Sequence, residues 1–410
     1  MTPSRLHFMF LNIGHFLDHF FMLIFATVAA LTLWREWGMS YGELIPYATP
    51  GFIAFGLFAL PAGWLADKWS RRGMMAAFFI GVGVCSMLTS LAQTPLQMGA
   101  ALFAMGVFAA IYHPVGIPLV IEGRVRTGMP IAINGVFGNL GVASAALITG
   151  FMIDNAGWRA AFIWPGIVCV GVGLAYLWFF AKTPQPAKAA KPAEKEPAKK
   201  GPEKKKSRGR SYQGVSLIRI FAIILVTTAL GGMVFQSTTF ALPKIFDERL
   251  GGMALSATLV GWYAFLVFAL AAFAQLVVGY LLDRHSARLV FIGVAALQAV
   301  FFALMPGLHD WAALAVAFAF MLAVFGQIPI NDVLLGRLTT SEWRSRAFAC
   351  RYIVTFSALA ASIPMIAWVH ANWGFDRLFM GLAVAALLIL LAVIMLPRAM
   401  PAQTQSAIAE

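Results

Sequence analysis

Gly63-Trp64-Leu65-Ala66-Asp67-Lys68-Trp69-Ser70-Arg71-Arg72 is a short charged turn wedged between two long apolar runs. An acid and three cations in so few positions cannot sit in hydrocarbon, where each ionisable group costs several kcal/mol. The flanking runs, near 42–66 and 73–93, are each long enough to cross a bilayer, whose core needs about 20 apolar residues. The turn then returns much later as Gly279-Tyr280-Leu281-Leu282-Asp283-Arg284. Two further echoes keep the register: Gly123-Arg124-Val125-Arg126-Thr127 with Gly336-Arg337-Leu338-Thr339-Thr340, and Gly157-Trp158-Arg159 with Gly374-Phe375-Asp376-Arg377. Three matched sites divide the chain into two related halves, an arrangement that places a binding site between them near the membrane midplane.

Composition agrees. Of the 410 residues 60% are hydrophobic and 11% charged, with a mean hydropathy of +0.81. A water-soluble surface cannot be built from so little charge. The net charge of +13 raises the possibility of a nucleic-acid partner, but its location argues against one. Between Lys182 and Arg210 lie eleven Lys or Arg against three Glu, which accounts for eight of the thirteen, and the rest sits in short loops. That is how positive charge distributes on the cytoplasmic side of a membrane protein. Cys85, Cys169 and Cys350 fall in apolar stretches, too scattered for a disulfide framework or a metal knuckle, and read as packing residues. Arg5 and His7 precede an apolar run too long for a cleaved leader, so the run reads as helix 1.

Hydropathy predicts spans near 8–34, 42–66, 73–93, 96–122, 129–153, 159–181, 216–242, 254–282, 288–306, 311–337, 343–369 and 375–396. The expected fold class is therefore an all-α integral membrane protein of twelve helices in two pseudo-symmetric six-helix bundles, residues 1–181 and 215–398. Residues 182–214, rich in Ala, Pro, Lys and Glu, read as a cytoplasmic disordered linker, and 399–410 as a cytoplasmic tail. Lys68, Arg71, Arg72, Arg124, Arg126, Arg284, Arg288, Arg344 and Arg346 crowd the loops of one side. The expected location is the inner membrane, multi-pass, with both termini cytoplasmic. Lys244, Asp247, Glu248 and Arg249 read as a mixed-charge loop of the opposite side.

Residues 63–72 resemble the loop signature of the major facilitator superfamily, G-x-L-a-D-r-x-G-r-[KR], with Ser70 in place of the usual Gly and the degenerate copy between helices 8 and 9. The resemblance covers the chain apart from the linker and the tail, and implies solute transport by alternating access. A narrower resemblance is to the drug exporter-like fosmidomycin-resistance branch. It rests on His15-Phe16-Leu17-Asp18 in helix 1, Tyr112-His113-Pro114 in helix 4, and the run Gly135, Gly138, Asn139, Gly141 in helix 5. Val115 stands where that branch usually has Glu. The helix 5 run continues Ala143-Ser144-Ala145-Ala146 where drug antiporters carry Gly-Pro, so their signature is missing.

Ionisable groups inside spans are functional candidates. Asn12, His15, Asp18, His19 and Met22 share one face of helix 1, being three and four residues apart. His113 sits at a similar depth in helix 4. The set reads as a substrate-binding or coupling site of His15, Asp18, His19, Tyr112 and His113, or as a brace pinning helix 1. An Asp beside His near the midplane suits proton coupling. No resident metal is expected; the sharper alternative is a transition-metal ion held by His15, Asp18, His19 and His113, with Met22. In the second half Gln327, Asn331 and Asp332 lie in helix 10 and Arg351 in helix 11, while Gln236, Thr238 and Thr239 lie in helix 7. Arg351 either holds an anionic solute or neutralises Asp332. Gating falls to Asp67, Arg71, Arg124, Asp283 and Asp332, with Asp67 and Asp283 facing cations such as Arg124, Arg126 or Arg337 across a gap.

No phosphate loop or nucleophile elbow occurs, so catalysis and ATP-driven transport are not expected. The leading expectation is a proton-coupled, monomeric secondary transporter of a small organic molecule without a cofactor, export being favoured by the resemblance. Its partners are the solute, protons and membrane lipids, with no nucleic acid. Uptake of an organic anion, a transition-metal permease, and a non-transporting assembly factor or sensor are the other expectations.

Overall fold

In hydrocarbon no water is available to bond exposed N–H and C=O groups, so each apolar run of this chain satisfies its backbone as helix. The structure, a computed structural model, describes residues 3–124, 127–181, 211–212, 215–338 and 341–397. Among them are eleven helical runs long and apolar enough to cross a membrane. They are α1 (Ser4–Glu36), α2 (Tyr41–Lys68), α3 (Arg71–Thr89), α4 (Pro95–Ile121), α5 (Gly128–Ala156), α6 (Trp158–Ala181), α7 (Ile218–Arg249), α8 (Ala257–Arg284), α9 (Ala287–Leu304), α10 (Asp310–Gly336) and a last run, Cys350–Ile394. Gly374, at φ 73° and ψ −177°, breaks that run into α11 before it and α12 after it. Twelve helices result.

The repeat persists in the backbone. Gly157, which opens α6, has φ 79° and ψ 166°, nearly the angles of Gly374 at the start of α12. Such angles are essentially closed to residues with a Cβ. Serine side chains cap corresponding helices in both halves, each pair 216 residues apart: Ser40 and Ser256 before α2 and α8, Ser70 and Ser286 before α3 and α9. Ser70 accepts from Gly73 N at 3.1 Å, so the serine that replaces the usual glycine satisfies an otherwise orphaned N–H of α3. The helical run also yields at Phe58 in α2 and at Phe273 in α8. One corner of each half is tied by an ion pair: Glu36 to Arg159 at 3.1 Å, and Arg249 to Asp376.

Two expectations about boundaries are corrected. Helix begins at Pro3, five residues before the apolar run, because the amphipathic first turns need no lipid. His15 and Asp18 therefore lie about 18–22 Å from its first residue. Lys244, Asp247, Glu248 and Arg249 are the last turns of α7 and not a loop. Their charges pair at helical spacing, Lys244 Nζ lying 2.6 Å from Asp247 and 3.6 Å from Glu248, so charge ends the hydropathic signal without ending the helix. Of the expected linker, Ser211–Tyr212 pairs antiparallel with Val215–Ser216. Residues 182–210, 213–214 and the tail 399–410 lie outside the described residues.

The helices alternate in direction, so the molecule has a near end, bearing Ser4, Lys68, Ile121, Ala181, Arg284 and Ile394, and a far end. The halves touch towards the far end. A Cβ on Gly150 of α5 would lie 2.2 Å from the carbonyl oxygen of Ala257, and one on Gly42 of α2 would lie 2.8 Å from that of Ala367 in α11. On the same α5, but towards the near end, a Cβ on Gly135 would meet nothing within 4 Å, and the same holds for Gly279 of α8. The two helices cross tightly at the far end and diverge at the other. The molecule is a V, closed at the far end and open at the near end.

Candidate functional site

Pro114 cannot donate to the residue four before it, and α4 accordingly breaks at Ala110–Ile111, one turn ahead of Pro114 and immediately before Tyr112 and His113. The break turns both side chains onto α1. Tyr112 is fully buried; its hydroxyl donates to the carbonyl of Leu11 at 2.8 Å and accepts from Asn134 Nδ2 at 2.9 Å. Asn134 Nδ2 also lies 3.0 Å from Asn12 Oδ1. Its backbone carbonyl accepts from His15 Nδ1 at 2.7 Å. α1, α4 and α5 are thus locked by one buried polar network. Asn134 is the residue missed in the sequence; an amide inside an apolar span, one residue before a glycine run, is the signal that would have found it.

On this platform the ionisable side chains converge. The ring of His15 stacks on Tyr112 at 4.9 Å between centroids and meets His19 at 5.0 Å and His113 at 5.3 Å. His19 and His113 are 5.4 Å apart. One ligand nitrogen from each of the three lies within 4.8 Å of the others. Asp18 is completely buried, with His113 Nε2 3.4 Å from Oδ2. That contact is an ion-pair distance without hydrogen-bond geometry, and among the described residues neither carboxylate oxygen has a hydrogen-bond partner. Met22 instead joins Phe21, Phe25, Phe52 and Leu102 around a small apolar gap.

A row of rings leads from this cluster to the other half. Phe55 of α2 lies 5.8 Å from His113 and 5.2 Å from Phe356 of α11, which stacks on Tyr352 at 6.0 Å. Beside Tyr352, Arg351 pairs with Asp332 of α10. The guanidinium is nearly buried while Asp332 is 42% exposed, so the pair sits at the edge of the open space. Asn331 accepts from the Thr227 hydroxyl at 3.2 Å, joining α10 to α7. Gln327 Oε1 accepts from Gln298 at 2.8 Å, leaving its amide nitrogen without a partner, as is that of the buried Gln236. The hydroxyls of Thr238 and Thr239 are satisfied by their own helix.

Among the described residues the gating candidates do not reach across the gap. Asp67 pairs with Arg71 on its own turn at 2.9 Å, Arg71 also lies 3.8 Å from Glu122, Arg124 lies over Phe8, and Asp283 is exposed. Arg126 and the Arg337 side chain lie outside the described residues. At the far end, closure falls to residues the sequence did not single out. Asp154 of α5 accepts from the backbone of Ala257 and Thr258. His370 of α11 lies 2.9 Å from Glu248 and meets the ring of Tyr41 at 5.2 Å.

With this geometry in view, the comparisons with known proteins are consistent. The sequence profile of the Major Facilitator Superfamily matches residues 11–257 and again 248–410. The chain belongs to that family. It is 22% identical over 283 residues to a gallate transporter of Pseudomonas putida, covering 63% of this chain and 61% of that protein. A protein of Cupriavidus necator described as a probable sulfoacetate transporter is 28% identical over 173 residues, 38% of this chain and 37% of that one. These matches span between about a third and three fifths of the relatives' own length. The solved structure of a D-xylose-proton symporter superposes with a TM-score of 0.68 at 14% identity over 95% of this chain and 97% of that one, a likeness of fold.

Proposed function

We propose that this chain is a secondary active transporter of a small organic acid, coupled to protons through the α1–α4 cluster. The observation that supports it best is Asp18. Its carboxylate lies wholly inside the helix bundle without a hydrogen-bond donor, 3.4 Å from His113, which in turn meets His15 and His19. A carboxylate so placed is tolerable only with a cation, and the proton is the cation at hand in every membrane. The ring row from His113 through Phe55 to Phe356 links its occupancy to the contact between the halves. With the near end facing the cytoplasm, as the positive loops imply, the V is the inward-open member of an alternating-access pair. The organic-acid class is favoured by the two relatives named for gallate and sulfoacetate.

Export of a small organic molecule is the second reading. It draws on the likeness to the fosmidomycin-resistance branch, whose helix 1 and helix 4 elements here supply His15, Asp18, Tyr112 and His113 to one cluster. Purified protein in liposomes, offered gallate-like and sulfonated acids under an imposed pH gradient of either sign, tests both. Asp18→Asn should abolish accumulation yet keep exchange of solute down its own gradient, because exchange moves no net proton. Concentration of solute by Asp18→Asn would end the coupling assignment.

A further inference from the structure

We propose that His15, His19, His113 and Asp18 form a binding site for one divalent first-row transition-metal ion of the zinc, cobalt or nickel kind. The donors gathered here are three borderline-soft imidazoles, with the Asp18 carboxylate 3.4 Å from His113 as counter-charge, a combination these ions favour. Two of the imidazoles stand one helical turn apart on α1 and the third comes from α4, so three rings approach a common point from two helices. One ligand nitrogen from each lies within 4.8 Å of the others. A tetrahedral shell with bonds of about 2.1 Å holds its nitrogens roughly 3.4 Å apart. Rotation of His19 and His113 by about 1 Å at the nitrogen closes that difference.

His15 is already prepared as a ligand. A carbonyl oxygen only accepts, so the 2.7 Å contact with Asn134 puts the hydrogen on Nδ1 and leaves the lone pair on Nε2. That nitrogen is buried and has no partner. An outer hydrogen bond of this kind fixes the tautomer and ring plane of metal-binding histidines. Asn134 is in turn held by Tyr112 and Asn12, so the orientation does not depend on one contact. Gly138 completes the seat: a Cβ there would lie 2.7 Å from His15 Nε2. Asp18 supplies the negative charge, with both oxygens unpartnered. His113 remains 22% exposed, which gives an ion a way in.

Binding does not depend on the transport reading above. Where that reading holds, the ion occupies the coupling position and arrests pH-driven transport. The experiment is a Co2+ titration of the full chain, purified without a histidine tag and stripped with chelator. One equivalent should raise a visible d–d band that Zn2+ then bleaches. His15→Ala and His113→Ala should each weaken Co2+ roughly 10- to 100-fold, while His285→Ala, outside the cluster, should leave it unchanged. Should an alanine variant lose its monodisperse profile, His113→Gln replaces it and must show the same loss. Absence of the band, or equal affinity in the wild type and the folded cluster variants, overturns the site. Transport lost in Asp18→Asn without metal binding in the wild type would keep the proton and remove the metal.

Discussion

The carboxylate of Asp154 accepts the backbone N–H of Thr258 at 2.7 Å and that residue's hydroxyl as well, so one half of the molecule caps the first turn of a helix in the other. The first N–H groups of α8 have no partner within their helix, and a carboxylate beside them is further favoured by the helix dipole. Asp154→Ala should release the far end by about 1–3 kcal/mol, the usual scale of such bonds. Cysteines placed on the far-end surfaces of α5 and α8 should then react faster with a membrane-impermeant thiol reagent. Unaltered labelling would remove Asp154 from the closure.

Gly150→Val drives the same contact from the packing side. The added atoms meet the Ala257 carbonyl within 2.2 Å, and backbone cannot retreat as a flexible side chain can. The variant should insert and fold but populate the form open at the far end, with transport reduced at least tenfold. Normal transport rates would mean that α5 and α8 need not approach this closely during the cycle.

Phe55 is the shared neighbour of His113 and Phe356. Phe55→Ala should leave solute affinity within about threefold but loosen the dependence of transport on the pH gradient. A double-mutant cycle with Asp18→Asn, read as accumulation ratio, should show non-additivity of about 1 kcal/mol or more. Strict additivity would sever the rings from coupling.

Arg351 and Asp332 answer to a charge test. Singly, Arg351→Gln and Asp332→Asn each leave one charge unpaired at the edge of the bundle and should lower the thermal midpoint. Together they should restore it. If transport returns with stability in the double variant, the pair is a brace; if stability returns and transport does not, the guanidinium holds the solute.

Asp67→Asn bears on the near end. In the V, Asp67 holds, among the described residues, its own-turn partner Arg71 at 2.9 Å, so the substitution should leave this state intact. Any cross-gap pairs must form in the opposite state, and that state should be depleted, with reduced transport and slower labelling of far-end cysteines. Unchanged transport and accessibility would exclude a gate role.

Much of the fold was legible because membrane helices write themselves in hydropathy, and because the repeat is anchored at residues with backbone duties. Gly157 and Gly374 share a conformation almost no other residue adopts, so their echo in the sequence is an echo in space. The helix 1 and helix 4 candidates were legible for the opposite reason: His15, Asp18, His19 and His113 violate the apolar pattern, and the fold gathers all four. Asn134, Asp154 and the last turns of α7 were not. An amide that joins three helices and a carboxylate that caps another half's helix depend on partners more than a hundred positions away. The charges of Lys244 to Arg249 counted against a span when in fact they pair along one.

The corner pairs described above carry reversed polarity, and this makes them unequal. In the second half the cation Arg249 ends α7 and the anion Asp376 begins α12, each at the terminus where the helix dipole favours its sign. In the first half the anion Glu36 ends α1 and the cation Arg159 begins α6, each opposed by its dipole. A difference of about 0.3–1 kcal/mol attaches to each such charge. Each anion takes one further hydrogen bond, Asp376 from the N–H of Gly307 at 3.0 Å and Glu36 from Trp158 Nε1 at 2.7 Å, so the dipoles carry the difference. On heating or in denaturing detergent the first corner to fray should therefore be that of α1 and α6, with amides near Trp158 exchanging before those near Phe375. A duplicated architecture would then come apart from its N-terminal side.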